Sequence, residues 1–184
     1  MKKILVLYGT AEGHTEEIVK VMIEAIAAGG HEVSVKAIEN APAAPLGYDG
    51  VVVGSSIHMG KHHQEIVEWA THNHTALSAV PAAFFQVSLS SAPGGDPKHE
   101  HEAVTYVDGF IAKTGWHPDL VGLFGGALLY TRYGFAKRQM LKSIAKKGGL
   151  GTDTHRDYDY TDYEAVRHFA DDVAHLVATT NRRV

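Results

Sequence analysis

The sequence predicts an α/β fold built on a doubly wound, five-stranded parallel sheet of order 2-1-3-4-5, with a long insertion after the fifth strand. Three observations predict it. Short apolar runs of strand type alternate with runs of helical spacing along the chain. Val51-Val52-Val53 is a continuous apolar run, the pattern of a strand buried on both faces of a parallel sheet. The first strand also passes into the first helix through a loop rich in glycine and hydroxyls. Parallel crossovers are right-handed, so the helices must cover both faces of such a sheet.

The elements follow in order. Ile4-Leu5-Val6-Leu7 is the first strand and Ile18 to Ile26, apolar at helical spacing, the first helix. His31 to Ile38 alternates as a strand, with Val33 and Val35 on one face, and Asn40 to Tyr48, dense in Ala and Pro, is a loop. Asp49 to Gly54 is the third strand, His63 to Ala70 a helix, Pro81 to Leu89 the fourth strand, Ala103 to Lys113 a helix and Leu120 to Phe124 the fifth strand. The last helix starts at Thr161 or Asp162, where Thr161 and Glu164 have capping-box spacing, and runs to about Val177; Asn181 to Val184 is expected to fray. In this topology ligands sit beyond the carboxyl ends of strands one and three. The informative loops are therefore Gly9 to Thr15, Ser55 to Lys61, Ser88 to Gly95, and the chain from Gly125 onward.

Tyr8-Gly9-Thr10-Ala11-Glu12-Gly13-His14-Thr15 contains no lysine or arginine. Any phosphate it holds is bound by backbone N–H groups, by Thr10 and Thr15, and by the helix N-terminus. Such a site suits a singly esterified phosphate like that of FMN. A P-loop would need lysine after the second glycine, where His14 and Thr15 stand, and the glycines Gly9 and Gly13 do not have dinucleotide-loop spacing. The competing reading is a tight turn in which Gly13 serves geometry alone. Glu12 would repel a phosphate and is expected to turn outward, contributing only its backbone. Ser55 to Gly60 and Ser88 to Gly95 supply small residues and backbone donors with which to flank a planar ring. His58 borders that ring position, as a donor, a proton relay or a packing residue.

The insertion, Leu128 to Tyr160, exceeds an ordinary connection by some twenty residues. Ala136, Met140, Leu141 and Ile144 form an apolar stripe in it, and Arg138, Lys142 and Lys146 a basic one. From Ala127 to Thr152 there is no acid, while Arg132, Lys137, Arg138, Lys142, Lys146 and Lys147 all fall there. This basic stretch suits propionates, acidic lipid headgroups or an anionic partner, or is a packed helix with its lysines in water. Nucleic acid is not expected as a partner, since no aromatic residues are interleaved with the basic ones inside that helix and the rest of the chain is acidic.

With 184 residues, 45% of them hydrophobic, one domain spanning 1–184 is expected. The absence of cysteine excludes disulfides, thiol catalysis and thiolate-bound metals. The thirteen histidines pair at spacings of one or two, as in His62-His63 and His72-x-His74, which do not share a helix face, so no metal is expected. Met1-Lys2-Lys3 leads into a strand rather than a signal peptide, and no run has bilayer-spanning length. A cytoplasmic protein is expected, with peripheral contact at the inner face of the cell membrane. Oligomeric state and natural electron acceptor are left open.

Together with the first loop, Gly54-Ser55-Ser56-Ile57-His58-Met59-Gly60, Gly126-Ala127-Leu128-Leu129-Tyr130-Thr131-Arg132-Tyr133-Gly134, Gly148 to Thr154 and Tyr158 to Asp162 carry a resemblance nearly end to end. The chain resembles the flavodoxin-fold, menaquinone-dependent protoporphyrinogen IX dehydrogenases of haem biosynthesis. The resemblance implies a flavodoxin-like sheet and FMN, held by Thr10, Ala11, Glu12, Gly13, His14 and Thr15 at its phosphate. Ser56, Ile57, His58, Met59, Gly60, Ser88, Leu89, Ser90, Gly126 and Ala127 would lie about the ring. It implies oxidation of protoporphyrinogen IX with a quinone as acceptor, Tyr130, Arg132, Tyr133, Lys137 and Arg138 meeting the substrate and the cations steering its propionates. No side chain is assigned as acid or base. Met59 stands where the family often has an aromatic residue and Leu129 where it often has arginine; Tyr130 or Tyr133 would compensate for the first and Arg132 for the second. A flavodoxin-like single-electron carrier and an NAD(P)H:quinone reductase are the alternative readings.

Overall fold

The computed structural model describes residues 1–93 and 97–180. The far end of the predicted Ser88 to Gly95 loop (Gly94 and Gly95) and the expected fraying of Asn181 to Val184 lie outside the described residues. The main sheet contains β1 (Lys3–Gly9), β2 (Glu32–Ala37), β3 (Gly50–His58), β5 (Ala82–Ser88) and β6 (Leu120–Gly125), all parallel, in the order β2-β1-β3-β5-β6. A two-residue strand, β4 (Lys61–His62), pairs antiparallel with the end of β3. With that short strand set aside, the order is the predicted 2-1-3-4-5.

Alternation along each strand divides the core. Ile4 and Val6 of β1 and Phe85 of β5 face α1 (His14–Ala28) and α5 (Tyr163–Thr179), where Ile18, Met22, Val166 and Val173 meet them. Leu5, Leu7 and Phe84 face α2 (Gln64–Ser78) and α3 (Pro97–Thr114), packing with Ile66, Leu77, Phe110 and Trp116. Each such side chain contributes about 1.5–3 kcal/mol by leaving water. Phe84 stacks on Phe110 at 4.2 Å and 13°, with Trp116 edge-on to both. At Gly54 a Cβ would lie 2.0 Å from the Phe85 ring, so glycine there lets the ring cross the strand.

Several boundaries differ from the sequence-based expectation: α2 continues to Ser78 rather than ending at Ala70, α3 begins at Pro97 rather than Ala103, and two further differences lie close to the site. β3 runs on to His58 because β4 extends its pairing, the two joined by a two-residue turn with Met59 at φ 50° and Gly60 at φ 74°. The N-cap of α5 is Asp162, whose Oδ1 accepts from the N–H groups of Glu164 and Ala165, each at 3.0 Å. The Thr161–Glu164 capping box does not form. The Thr161 hydroxyl instead donates to the carbonyl of Gly125 at 2.8 Å and so belongs to the join between β6 and α5.

The insertion is a small module of its own. β7 (Ala127–Leu128) and β8 (Tyr158–Asp159) pair antiparallel at its base, and α4 (Phe135–Lys147) lies beyond them. Its core is Leu128, Tyr130, Tyr133 and Ala145, with Leu150, Tyr158 and Tyr160 packed around. Arg138 binds it internally: Nε donates to the carbonyl of Tyr130 and Nη2 to that of Tyr133, both at 3.1 Å.

Candidate functional site

At the carboxyl end of β1 the chain turns at Gly13, with φ 86°, into α1. The Gly13 N–H donates to Thr10 Oγ1 at 2.9 Å, closing the loop on itself. No side chain caps α1, which leaves its N-terminal dipole facing the cleft that Thr10, His14 and the buried Thr15 line. Such a helix end can receive an anion, and the loop itself carries no lysine or arginine.

The cleft has a volume of about 250 Å³. Around it the structure brings together Thr10, Ala11, Glu12, His14 and Thr15 from the first loop and Ser56, Ile57, His58, Met59 and Gly60 from the β3–β4 hairpin. Ser88, Leu89 and Ser90 join from the end of β5, with Gly126, Ala127, Tyr133 and Lys137 from the insertion side. Gly13 forms the turn behind these residues rather than the wall. The fit to FMN rests on more than the loop: the Ser56 hydroxyl is buried and has no hydrogen-bond partner among the described residues. A ring-bearing ligand between the hairpin and the β5 loop would supply one.

His14 Nε2 lies 2.8 Å from Thr161 Oγ1 and 3.3 Å from Asp159 Oδ1. Because the Thr161 proton goes to Gly125, the His14 Nε2–H is the donor. Burial holds this imidazole below its ordinary pKa, against the pull of Asp159. His14 thereby ties the phosphate loop to the strand that closes the insertion.

Glu12 does not turn outward as expected. Its carboxylate crosses the rim of the cleft, accepts a hydrogen bond from the Tyr133 hydroxyl, sits 2.5 Å from Lys137 Nζ and lies 3.9 Å from His58 Nδ1. An adjacent ammonium offsets the repulsion that a phosphate would otherwise meet. The Tyr133 hydroxyl also accepts the Leu129 N–H, and burial together with the Glu12 carboxylate pushes its pKa well up. Lys137 is therefore paired with Glu12 at the cleft rim.

Three other expected substrate residues lie away from the cleft. Tyr130 is fully buried, its hydroxyl donating to the carbonyl of Gly151 at 3.0 Å, so it packs the insertion instead of stacking on a ring. Arg138 is committed to two carbonyls, and Arg132 is exposed and does not line the cleft. Of the two tyrosines offered in place of an aromatic residue at position 59, Tyr133 is the one at the cleft. The apolar stripe of α4 is only partly packed away, with Leu141 against the insertion core. Met140 and Ile144 are 43% and 50% exposed and, with Leu141, line the cleft as one wall.

Sequence reasoning missed Glu102 and Tyr106. Both lie on α3 and line the cleft near Met59 and Gly60. Glu102 accepts the Ser90 hydroxyl at 2.6 Å and the Tyr106 hydroxyl at 2.8 Å. The Ser90 bond, aided by that from Tyr106, keeps the carboxyl below the usual range despite burial, while burial and Glu102 push Tyr106 up to about 12. Their i, i+4 spacing, which puts an acid and a phenol on one helix face, was the available signal.

A parallel doubly wound sheet whose lysine-free phosphate loop opens onto a cleft at the β1–β3 switch point defines a flavodoxin-class protein. A family model described as flavodoxin domain matches residues 5–155. The chain is 34% identical over 182 residues to protoporphyrinogen IX dehydrogenase (quinone) of Escherichia coli strain K12, covering 95% of this chain and 96% of that one. To the protein of that name from Leishmania major it is 35% identical over 179 residues, covering 95% and 75%. Among solved structures it resembles a flavodoxin from the domain Archaea, with TM-score 0.57, 15% identity and coverage of 96% and 99%. Oxidised Flavodoxin 1 from Bacillus cereus gives TM-score 0.52, 16% identity and coverage of 97% and 99%. The chain belongs to the flavodoxin domain family and, within it, to the group of protoporphyrinogen IX dehydrogenases (quinone) with which it aligns nearly end to end.

Proposed function

We propose that this chain, carrying FMN, oxidises protoporphyrinogen IX to protoporphyrin IX and passes the electrons to a quinone. One observation supports the reading above all. The insertion aligned with those dehydrogenases turns the apolar side chains Met140, Leu141 and Ile144 toward the phosphate-loop cleft, giving it a wall suited to a flat, greasy macrocycle.

In this reading the Thr10 to Thr15 loop and the α1 N-terminus hold the phosphate, with Gly13 setting the turn. Ser56 to Gly60 and Ser88 to Ser90 flank the ring, and Gly126 and Ala127 close its inner edge. Bound FMN supplies a two-electron acceptor. Ser56 gives a hydrogen bond that the protein alone leaves unmade. Leu141 and its neighbours exclude water above the ring position. Arg132, exposed at the insertion, remains to attract propionates, and Lys142, Lys146 and Lys147 add to the local positive potential.

The same helix exposes Phe135 at 79% at its start, on the face that carries Lys142 and Lys146 in later turns. An apolar edge flanked by cations suits peripheral contact with an anionic membrane surface, where a lipophilic quinone is found. Among the described residues no helix is long and apolar enough to cross a membrane. The test uses purified protein, FMN, protoporphyrinogen IX and a menaquinone analogue. Porphyrin fluorescence should grow faster than autoxidation allows. No acceleration, with FMN demonstrably bound, rejects the assignment.

A further inference from the structure

The side chain of Glu12 is 24% exposed and lies where three parts of the molecule meet. It stands on the phosphate loop, approaches His58 of the β3–β4 hairpin, and holds Tyr133 and Lys137 of the insertion. Lys137 Nζ also lies 4.5 Å from the Tyr133 ring centroid, so the two partners support each other. The other attachments of α4 are mostly within the insertion, where Leu141 packs on its core. Ala145 is the one buried residue among its thirteen, no side chain caps its start at Gly134, and Arg138 bonds only within the insertion. The first turns of α4 are thus joined to the rest of the molecule chiefly through a carboxylate that a phosphate loop has no need of.

From this geometry we infer that Glu12 is a positioning residue for the porphyrinogen: by gripping Tyr133 and Lys137 it holds α4 so that Met140, Leu141 and Ile144 stay over the cleft. The inference rests on the substrate proposed above. It assigns to a residue of the cofactor loop a role in recognising the second ligand. A charged carboxylate accepting from both an ammonium and a phenol is a strong, directional grip, stronger than neutral pairs. Gln at position 12 keeps the size and one acceptor and loses the charge.

Three measurements on the full-length protein test it. Wild type, E12Q, K137M and the reversed pair E12K/K137E are compared by amide hydrogen exchange over residues 135–147, by quenching of FMN fluorescence on titration into apoprotein, and by porphyrinogen oxidation. E12Q and K137M should speed exchange of the α4 amides roughly tenfold, as expected when a local opening becomes easier. At saturating FMN, E12Q should raise KM for the porphyrinogen about tenfold, a larger factor than its change in FMN Kd or in kcat. The reversed pair should recover slower exchange and lower KM than either single variant. Unchanged α4 exchange in E12Q, a reversed pair no better than the singles, or an FMN Kd in E12Q weakened by a larger factor than KM at saturating FMN is raised overturns the inference. A wild type that oxidises no porphyrinogen removes the proposed function instead, and the exchange comparison still decides whether Glu12 holds α4.

Discussion

Ser56 shows how a single buried hydroxyl bears on ligand binding. A buried hydroxyl without a partner costs about 1–3 kcal/mol, yet removing it relieves that cost only in the ligand-free protein. S56A is therefore expected to keep or slightly raise the thermal midpoint of the apoprotein while weakening FMN about fivefold, the equivalent of one hydrogen bond of about 1 kcal/mol. Melting curves with and without FMN, and a fluorescence titration, separate the two effects. At this scale the sequence was readable where chemistry was local. The turn at Gly13, with Thr10 and Thr15 at the cleft, was legible as a loop because a run of that composition directly follows a strand. Glu12 was misread because its partners Tyr133 and Lys137 lie more than 120 residues away, and only the fold reveals that an ammonium meets it. Glu102 and Tyr106 were overlooked because a helix face does not say which loop it overlooks.

Elements were legible in proportion to how much apolar surface they bury. The strand at Val51 to Val53 and the helix from Ile18 to Ile26 were plain because both are gripped by the core. Lys61-His62 is too short to show any period, so the hairpin that carries Met59 to the cleft went unseen. The stripe of α4 was visible as a pattern, but a pattern does not distinguish a face turned to a core from one turned to a ligand. His14 and His62 act between elements, one joining α1 to the β8–α5 segment and the other donating from its Nε2–H to the Tyr106 carbonyl of α3 at 3.1 Å. Burial depresses the pKa of both. In the unfolded chain they take up protons as pH falls through 6.5, whereas the folded chain resists until lower pH. The stability they contribute is complete above about 6.5 and is lost progressively below it. Urea midpoints should fall between pH 8 and pH 5.5, and H62Q should flatten that slope.

On the scale of the whole molecule, sheet and insertion are separate packing units joined at few places. The sheet has clusters on both faces, while the insertion keeps its own core around Tyr130 and Tyr133. Replacing residues 129–157 by a short glycine linker should leave an FMN-binding protein, with Kd within about tenfold of wild type, because the Thr10 to Thr15 loop and the hairpin keep their supports. Porphyrinogen oxidation should fall to the autoxidation rate, since the apolar wall leaves with α4. Fluorescence titration and the porphyrin assay read the two outcomes, and a truncated protein that binds no FMN would contradict the division. Sequence alone placed this boundary near Leu128 and Tyr160, because a connection that long stands out against its short neighbours.

The pairing of Ala127 with Asp159 and of Leu128 with Tyr158 brings the entry and exit of the insertion side by side. A segment attached through one such doorway can be exchanged by recombination without re-threading the chain. Lineages sharing this scaffold are thus free to change what is oxidised while keeping how the electrons are stored.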